Sequence, residues 1–363
     1  MEVPQRFTFD RAPLRVYWEL TRACDLACRH CRADAVRARH PAELTTAEAL
    51  RLLENVAAFG DPKPHLVLTG GDPLHRPDLF VLIGAAQGLG LAVSVAPSAT
   101  PRLGPDEIRS FKEAGVEAIS LSIDGSTPAL HDAFRGIPGT YDRTLEAARA
   151  ARAVNLPFQI NTLVSQETLP DLPAIGLLAG ELGAARWSLF FLVSVGRGTV
   201  LQQISPGEAE DVMRWLAELA ARGGPPVVTT TEAPHFRRVM RQHRRSTVYG
   251  HGAGIRDGNG IMFISHTGDV QPSGFLPLTA GNVRTDDLVS LYRDSHVFRT
   301  LRRPDLFGGR CGRCEFHFVC GGSRARAYAA AGDPFAEDPL CAYEPRRGGG
   351  VYTENIASRS WRE

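Results

Sequence analysis

The stretch that decides the fold is Trp18-Glu19-Leu20-Thr21-Arg22-Ala23-Cys24-Asp25-Leu26-Ala27-Cys28-Arg29-His30-Cys31. It begins in a run that predicts a strand and ends in three cysteines spaced C-x3-C-x2-C. Three thiolates on one short loop can bind three irons of a [4Fe–4S] cubane and leave the fourth iron without a protein ligand. The alternatives are a zinc knuckle or a ferredoxin-type site, but a zinc knuckle normally supplies four ligands in C-x2-C pairs. The spacing favours a cluster with one open position.

Outward from this loop, the first two thirds of the chain alternate strand-like and helix-like runs. The predicted strands are Arg15–Leu20, His65–Thr69, Leu91–Ala96, Ala118–Ile123, Phe158–Val164 and Arg186–Val193, each expected to be buried on both faces. The predicted helices are Thr46–Phe59, Arg76–Leu89, Pro105–Ala114, Tyr141–Val154, Thr168–Leu182 and Pro206–Arg222. Six such repeats predict an α/β fold with a parallel sheet, whose strands end at one functional face.

Polar and glycine-rich motifs follow these strands at that face. The second strand runs into Gly70-Gly71-Asp72-Pro73, where the glycines let backbone approach a ligand but also suit a plain turn. Ser122 and Asp124 lie two residues apart on one face of the fourth strand. Arg135 could pair bidentately with a carboxylate, although a helix-surface salt bridge explains it nearly as well. Three further places on this rim have no predicted role: Ser98, Asn161 and Gly196-Arg197-Gly198.

A second group of cysteines lies near the end of the chain, as Cys311-x2-Cys314-x5-Cys320-x20-Cys341. Four thiolates can hold a complete [4Fe–4S] cluster, and they can equally hold a structural zinc ion. A zinc ribbon would more often show two C-x2-C pairs, and only one is present here. The residue pattern leaves both metals open and favours iron.

Composition restricts the class of protein. The 363 residues are 43% hydrophobic and 22% charged, with a formal net charge of +1, so bulk electrostatics indicate neither a nucleic-acid nor a membrane partner. The first twenty residues have no apolar core of a secretory signal, and no apolar run is long enough to span a membrane. We therefore expect a cytoplasmic protein, where seven cysteines in two clusters indicate metal binding rather than disulfides.

The first cysteine motif, the Gly-Gly-Asp-Pro turn and the fourth-strand residues together resemble the radical SAM (S-adenosylmethionine) superfamily. The second cysteine group resembles a shortened SPASM domain, called a twitch domain. Cysteines of the full SPASM pattern are replaced here by Ser273 and Arg324. The resemblance implies a partial (β/α)6 barrel followed by a small C-terminal α+β iron–sulfur domain. Its implied boundaries are a barrel at 13–235, a linker loop at 236–260, a twitch-like domain at 261–345 and a tail at 346–363.

The resemblance also implies roles for individual residues. The first [4Fe–4S] cluster would bind Cys24, Cys28 and Cys31, and an auxiliary [4Fe–4S] cluster would bind Cys311, Cys314, Cys320 and Cys341. SAM would be bound by Gly70, Gly71, Asp72, Pro73, Ser122, Asp124 and Arg135. His30 would pack near the cofactor and would not bind iron. No side chain is assigned to catalysis itself, because the reactive species would derive from SAM.

The closest resemblance is to the haem-biosynthesis branch of twitch enzymes. It is carried by the phrases Ala12-Pro13-Leu14, Cys28-Arg29-His30-Cys31-Arg32-Ala33, Cys320-Gly-Gly-Ser-Arg-Ala-Arg-Ala-Tyr328 and Ala336-Glu-Asp-Pro-Leu-Cys-Ala-Tyr343. The implied enzyme cleaves SAM to a 5′-deoxyadenosyl radical and modifies propionate side chains of a haem-like tetrapyrrole. A flavodoxin or ferredoxin would donate the electron. The alternatives are a maturase of a ribosomally made peptide and, in another class, a non-catalytic iron–sulfur or zinc protein.

Overall fold

Alternating apolar residues build a sheet whose outer face is covered by helices. The computed structural model describes residues 9–243 and 254–346. Within these residues the strands are β1 Arg15–Glu19, β2 His65–Thr69, β3 Val93–Val95, β4 Ala118–Ser122, β5 Phe158–Val164, β6 Arg186–Phe191, β7 Val227–Thr231, β8 Ile261–Ile264, β9 Asp269–Gln271 and β10 Gly281–Asn282. The α-helices are α1 Thr46–Ala57, α2 Leu79–Gly88, α3 Pro105–Glu113, α4 Pro128–Arg135, α5 Thr140–Ala153, α6 Leu172–Leu182, α7 Pro206–Arg222, α8 Phe236–Gln242, α9 Leu288–Asp294, α10 His296–Leu301, α11 Gly309–Arg313 and α12 Arg324–Ala331.

The sheet confirms the predicted parallel α/β architecture and is larger than predicted. Its strand order is β10-β9-β8-β1-β2-β3-β4-β5-β6-β7, and every neighbouring pair from β8 to β7 is parallel. The six predicted strands form its centre. β7 continues the sheet beyond β6, and β8 continues it beyond β1 with Arg15 opposite Ile261. Among the described strands the antiparallel pairs are β8–β9 and β9–β10.

The two faces of the strands differ, which corrects the expectation of burial on both. Along β1, Val16 and Trp18 are fully buried under the helices, whereas Tyr17 between them is only half-buried. In β4 the half-buried positions include Ser120 and Ser122. The inner face is polar because it borders a cavity instead of a second layer of apolar side chains. The sheet therefore places hydroxyl groups where a ligand can reach them.

Helix boundaries follow local chemistry. α1 begins with a capping box: the Glu48 amide donates to Thr45 Oγ1 at 3.3 Å and the Thr45 amide donates to Glu48 Oε2 at 2.8 Å. The helix predicted from Arg76 begins later, at Leu79. Pro77 explains the delay, because a residue that precedes proline is disfavoured in the α conformation.

Two other predictions need correction. The segment 236–260 was expected to be a linker loop, but it opens with α8, whose Phe236 and Val239 are buried in the core. α4 was not predicted as an element, and it starts at Pro128 behind the cap of Thr127. Residues 244–253 of that linker and all but the first residue of the tail predicted at 346–363 lie outside the described residues. No helix of the described chain is long and apolar enough to cross a bilayer.

Candidate functional site

The cysteines of the first group line one cavity of about 250 Å³ at the carboxyl ends of the strands. The same cavity is lined by most of the other predicted SAM contacts, namely Gly70, Gly71, Ser122, Asp124 and Arg135. Ser98, Asn161 and Arg197, predicted on this rim without a role, also line it. Asp72 and Pro73 do not. The structure thus brings together eight of the ten residues predicted for this site, counting the three cysteines.

The loop that carries these cysteines is held from the opposite side of the sheet. Arg197 follows β6, and its Nε and Nη1 donate to the carbonyl oxygens of Cys28 and Ala35 at 3.0 and 3.2 Å. The Arg197 amide donates to the Cys31 carbonyl oxygen at 3.1 Å. One side chain therefore fixes a loop that has no regular secondary structure of its own.

Each sulfur of the loop has a nearby N–H donor. The Leu26 amide donates to Cys24 Sγ and the Ala35 amide to Cys31 Sγ, both at 3.4 Å, and Arg135 Nη1 lies 3.7 Å from Cys28 Sγ. Hydrogen bonds to ligand sulfurs are one means of tuning an iron–sulfur cluster. Burial raises the pKa of the Cys24 thiol to about 11. Such a thiol gives up its proton on metal coordination and not to water at neutral pH.

Gly70 and Gly71 allow the loop after β2 to touch the cysteine loop. A Cβ on Gly71 would lie 2.3 Å from the carbonyl oxygen of Ala23, and one on Gly70 would lie 2.3 Å from that of Thr21. The Gly71 amide donates to the Thr21 carbonyl oxygen at 2.7 Å. Larger residues would push the two loops apart. The glycines are therefore required by this close approach, whatever ligand binds beside them.

Asp72 is buried and turned away from the cavity. Its carboxylate accepts hydrogen bonds from the amides of Leu74 and Ser98, at 3.2 and 3.3 Å, and from Thr100 Oγ1 at 3.0 Å. Burial raises the pKa of Asp72, and these donors only partly offset it. Asp72 thus connects the loop after β2 to the loop after β3. A second hydrogen bond between these loops runs from Ser98 Oγ to the Gly71 carbonyl oxygen at 2.9 Å.

Asp124 and Arg135 form a buried ion pair on the cavity wall. The other carboxylate oxygen of Asp124 accepts from the Leu163 amide at 2.7 Å, so both oxygens have protein partners. Burial alone would raise the pKa of Asp124, but the Arg135 guanidinium and the nearby His30 and His131 lower it overall. Arg135 lies at the end of α4, and its contact with this carboxylate places it inside the protein and not in a surface salt bridge.

Unsatisfied polar atoms surround the cavity. Among the described residues, Arg135 Nε, Arg197 Nη2 and His30 Nδ1 are buried and have no hydrogen-bond partner. His30 packs on Phe134 with ring centroids 5.0 Å apart, and burial lowers its pKa to about 4, so it is a neutral ring. Three thiols, three arginine side chains and a glycine turn fit a metal cluster with a polar, anionic ligand beside it.

The second cysteine group lines a separate small cavity in the C-terminal part of the chain. All four predicted ligands border it: Cys311, Cys314, Cys320 and Cys341. The amides of Phe316 and Gly322 donate to Cys314 Sγ and Cys320 Sγ at 3.4 Å each. Burial raises the pKa of Cys314 to about 11, and it raises that of Cys320 further. The four cysteines therefore share one small cavity, with Cys311 and Cys320 buried and Cys314 and Cys341 half-buried, and they have N–H donors beside them as in a cluster site.

Three further buried groups at this cavity were not predicted from the sequence. His235 and Arg238 follow β7 and border the four thiols, and Asp338 lies between two of the cysteines in the sequence. Neither ring nitrogen of His235 has a hydrogen-bond partner among the described residues, and burial lowers its pKa to about 4. The signal available in the sequence was the β-branched run at 227–231, because side chains that follow a parallel strand reach the same face as the other motifs.

Ser273 and Arg324, which stand where the full SPASM pattern has cysteine, make hydrogen bonds inside the protein. Ser273 is buried, and its Oγ accepts from the Phe275 amide at 3.3 Å, outside the second cavity. Arg324 is fully buried, and its Nη2 donates to Cys311 Sγ at 3.5 Å. No three His, Cys, Asp or Glu side chains of the described chain converge on a point suitable for a single metal ion.

Comparison with known proteins gives the following similarities. The family model described as the radical SAM superfamily matches residues 18–176. The chain is 41% identical over 344 residues to the AdoMet-dependent heme synthase of Oleidesulfovibrio alaskensis, covering 92% of this chain and 88% of that one. It is 31% identical over 348 residues to the pre-heme d1 synthase of Dinoroseobacter shibae, covering 90% and 85%. Streptococcus suis SuiB bound to precursor peptide SuiA has a TM-score of 0.72 at 17% identity, covering 92% and 76%, which concerns the fold alone.

Proposed function

Because the chain belongs to the radical SAM superfamily, and within it to the haem-biosynthesis branch, we propose that it decarboxylates or oxidises the propionate side chains of a haem-like tetrapyrrole. Membership makes the chain an enzyme that uses SAM and a [4Fe–4S] cluster. That sets aside the non-catalytic alternative. The observation that carries the proposal is the single cavity shared by Cys24, Cys28 and Cys31 with the glycine turn and Arg135.

We assign the residues of this cavity as follows. Cys24, Cys28 and Cys31 would hold the [4Fe–4S] cluster beside the SAM site. When bound, this pair of cofactors supplies a 5′-deoxyadenosyl radical that removes a hydrogen atom from the substrate. Carbonyl oxygens of Gly70 and Gly71 accept hydrogen bonds from the SAM amino group. Ser122 offers a hydroxyl group to SAM from the inner face of β4.

Asp124 and Arg135 act as a unit in this assignment. Asp124 accepts from Arg135 on one oxygen and from the Leu163 amide on the other, so in this assignment it positions Arg135 beside SAM. Arg135 retains an unpartnered Nε beside the cavity and can pair with a carboxylate. Asp72 holds the glycine turn in a similar way, because its carboxylate accepts hydrogen bonds from the Leu74 and Ser98 amides and from the Thr100 hydroxyl.

The tetrapyrrole is favoured over a peptide for two reasons. The relative named AdoMet-dependent heme synthase is 41% identical over nearly the whole chain, whereas the likeness to the peptide-bound SuiB concerns the fold. Propionates are anionic, and Arg32, Arg135 and Arg197 border the cavity. Guanidinium groups bind carboxylates in a bidentate geometry. Apolar residues such as Leu192, Val193 and Phe275 border the same cavity and would limit water at the reacting carbon.

The four cysteines near the end of the chain would hold an auxiliary [4Fe–4S] cluster. With all four irons bound to protein, that cluster would carry electrons or help to position the substrate, and it would not bind the substrate directly. A flavodoxin or ferredoxin would deliver the electron for SAM cleavage. Support for iron over zinc comes from the spacing, which has only one C-x2-C pair, whereas a zinc ribbon would more often show two.

The test of the substrate is an anaerobic reaction of reconstituted enzyme with SAM, a reductant and an iron coproporphyrin. We expect 5′-deoxyadenosine together with loss of carbon dioxide from the porphyrin, both followed by mass spectrometry. The C24A/C28A/C31A variant is the control and should form neither product. Formation of 5′-deoxyadenosine with an unchanged porphyrin would reject the haem substrate, and a modified precursor peptide would instead support a peptide maturase.

The test of the auxiliary cluster is metal analysis of the purified chain. We expect about eight irons per chain in the reconstituted wild type and about four in either the C24A/C28A/C31A or the C311A/C314A/C320A/C341A variant, since each cubane contains four. One zinc ion in place of the second set of irons would contradict the auxiliary cluster. It would leave the first cluster and the SAM chemistry untouched.

A further inference from the structure

Arg324 is a buried cation in direct contact with the second cysteine group. Its exposed fraction is 0%, and it stands at the start of α12. Nη2 donates to Cys311 Sγ at 3.5 Å, and Nη1 donates to the carbonyl oxygens of Pro334 and Ala336 at 2.9 and 2.7 Å. The guanidinium also packs over the Phe307 ring at 4.4 Å from its centroid. These contacts fix both the position and the plane of the charge.

The charge of Arg324 has no carboxylate partner in the part of the chain that the structure describes. Its side-chain acceptors there are three carbonyl oxygens and one sulfur, the third carbonyl being that of Gly322 at 3.3 Å from Nε. Two residues later, Arg326 is equally buried, but it is paired with Asp338 at 3.1 Å. A buried charge without a counter-charge is costly, and guanidinium groups keep their charge when buried. An anion at the cysteine site, which Nη2 already contacts through Cys311 Sγ, would balance this charge.

A [4Fe–4S] cluster with four thiolate ligands carries net negative charge, and it gains one more on reduction. A guanidinium that donates to a ligand sulfur stabilises the reduced form more than the oxidised form, because net charge and hydrogen bonds to sulfur set the potential. We propose that Arg324 raises the reduction potential of the auxiliary cluster and so favours its acceptance of electrons. The inference rests on the proposed auxiliary cluster and identifies Arg324 as a positioning residue of that cluster.

The first test measures the potential of the auxiliary cluster alone, by EPR-monitored redox titration of the C24A/C28A/C31A chain. We expect Arg324→Gln to lower the ratio of reduced to oxidised cluster at least tenfold at a fixed solution potential, which corresponds to about 59 mV for one electron. Arg324→Lys keeps the charge and should restore most of the difference. An unchanged potential in Arg324→Gln would overturn the proposal.

Arg310 provides the matched control. It also lies at this cavity, but it contacts the Cys341 carbonyl oxygen and no sulfur, and it pairs with Glu337 and Glu344 at the surface. Arg310→Gln removes a charge that is already balanced and partly screened by water, so it should shift the ratio less than threefold. A shift as large as that of Arg324→Gln would mean that any nearby arginine matters equally, and the specific role would be wrong.

A second measurement detects the Arg324 side chain directly. In the same triple-cysteine background, arginine labelled with ¹⁵N should give a ¹⁵N coupling in pulse EPR of the reduced cluster. The described backbone amides that donate to these sulfurs, such as those of Phe316, Gly322 and Asp338, are not arginine and give no such signal. Arg238 and Arg310 also border the cavity, so the coupling of Arg324 is identified as the one that is lost in Arg324→Lys. Four bound irons without this coupling would overturn the inference alone, whereas absence of iron would overturn the auxiliary cluster and the inference with it.

Discussion

At the scale of single residues, burial decides how much an ion pair contributes to the stability of the folded chain. Asp124 and Arg135 are almost fully enclosed, and Arg135 in turn lies beside Cys28 Sγ. Arg29 and Glu167 form a similar contact at 2.5 Å, but their side chains are 42% and 44% exposed. Water screens the exposed pair, whereas removing one member of the buried pair leaves an uncompensated charge. The two pairs flank the same loop and so make a matched comparison.

Asp124→Asn should lower the free energy of unfolding by about 3 kcal/mol, because it leaves Arg135 buried without a counter-charge. The measurement is urea unfolding of the cluster-free chain under reducing conditions. Glu167→Gln is the control, and it should change the same free energy by less than about 1 kcal/mol. Equal effects of the two substitutions would show that the buried Asp124–Arg135 pair stabilises the folded chain no more than the exposed pair does.

At the scale of elements, the site is built from loops that touch one another. The turn after β2 lies against the cysteine loop so closely that side chains at Gly70 and Gly71 would collide with backbone oxygens. Neither loop can move without the other, since the amides of Gly71 and Asp72 donate to the carbonyl oxygens of Thr21 and Ala23 at 2.7 Å. The geometry of the first cluster site thus depends on a backbone contact as well as on its ligands.

Gly71→Ala should reduce the iron content of the reconstituted chain by about half, because loss of one of two cubanes removes four irons. The added Cβ would meet the Ala23 carbonyl oxygen at 2.3 Å and displace the cysteine loop. Gly84→Ala is the control: Gly84 is exposed in α2 with nothing within 4 Å of its Cβ position. That substitution should keep all the iron and stabilise the chain by about 0.5–1 kcal/mol. Full iron in Gly71→Ala would contradict the argument.

The sequence predicted elements well where the signal is local. The strands β1, β2, β4, β5 and β6 lie within two residues of the predicted ones, since each combines apolar alternation with a clear break. The start of α2 was misplaced because the restriction imposed by Pro77 competes with a strongly apolar helix pattern. α8 was missed because its arginines obscure the apolar residues Phe236, Val239 and Met240 that pack in the core.

The sequence did not predict which strands pair when they are far apart along the chain. Nothing local marks Ile261–Ile264 as the parallel neighbour of β1, and of its pairings in the described chain only the one with β9 joins segments close in sequence. The cavity residues were predicted largely by resemblance, and the structure refined them by showing which side chains are free. Asp72 illustrates the limit, since only three-dimensional contacts with Ser98 and Thr100 reveal that its carboxylate is occupied.

At the scale of the whole molecule, the C-terminal segment closes the open side of the sheet. The Arg326 side chain donates to the carbonyl oxygens of Phe191 and Leu192, which end β6 and begin its loop, and to that of Glu232 after β7. Asp257, which precedes β8, accepts from the amides of Arg324 and Ala325 at 3.1 and 3.0 Å. One helix start therefore connects β6, β7 and β8. The two cysteine sites belong to one connected structure.

A titratable pair lies in this connection. Burial, followed by the neighbouring Asp257 carboxylate, raises the pKa of Glu232 well above its usual value, and Ser323 donates a hydrogen bond to Glu232. The neutral form is thus favoured in the folded chain. Its stabilising contribution is complete below the unfolded pKa near 4.5 and is lost as pH rises through the raised folded pKa.

Glu232→Gln should remove this pH dependence, because glutamine stays neutral at every pH. We expect its stability relative to wild type to increase as pH rises above about 5, by up to about 1.4 kcal/mol per pH unit until the folded pKa is passed. Urea unfolding of the cluster-free chain between pH 5 and 8 measures it. Glu218→Gln, on the exposed face of α7, is the control and should run parallel to wild type. If the stability of Glu232→Gln also runs parallel to that of wild type across this pH range, Glu232 is not protonated in the folded chain.

The pairing of β1 with β8 has a consequence for biosynthesis. β1 carries the first cysteine loop and emerges early from the ribosome, yet the strand that covers its second edge, Ile261–Ile264, is translated only after the rest of the barrel. His266, just past that strand, also contacts Glu19 at the end of β1 at 2.7 Å. Chains fold from the amino end at roughly 5–20 residues per second during synthesis, so this edge stays unpaired until Ile261–Ile264 has been made. Delivery of iron and sulfide to Cys24, Cys28 and Cys31 is therefore expected to finish only after β8 has been synthesised and has paired with β1.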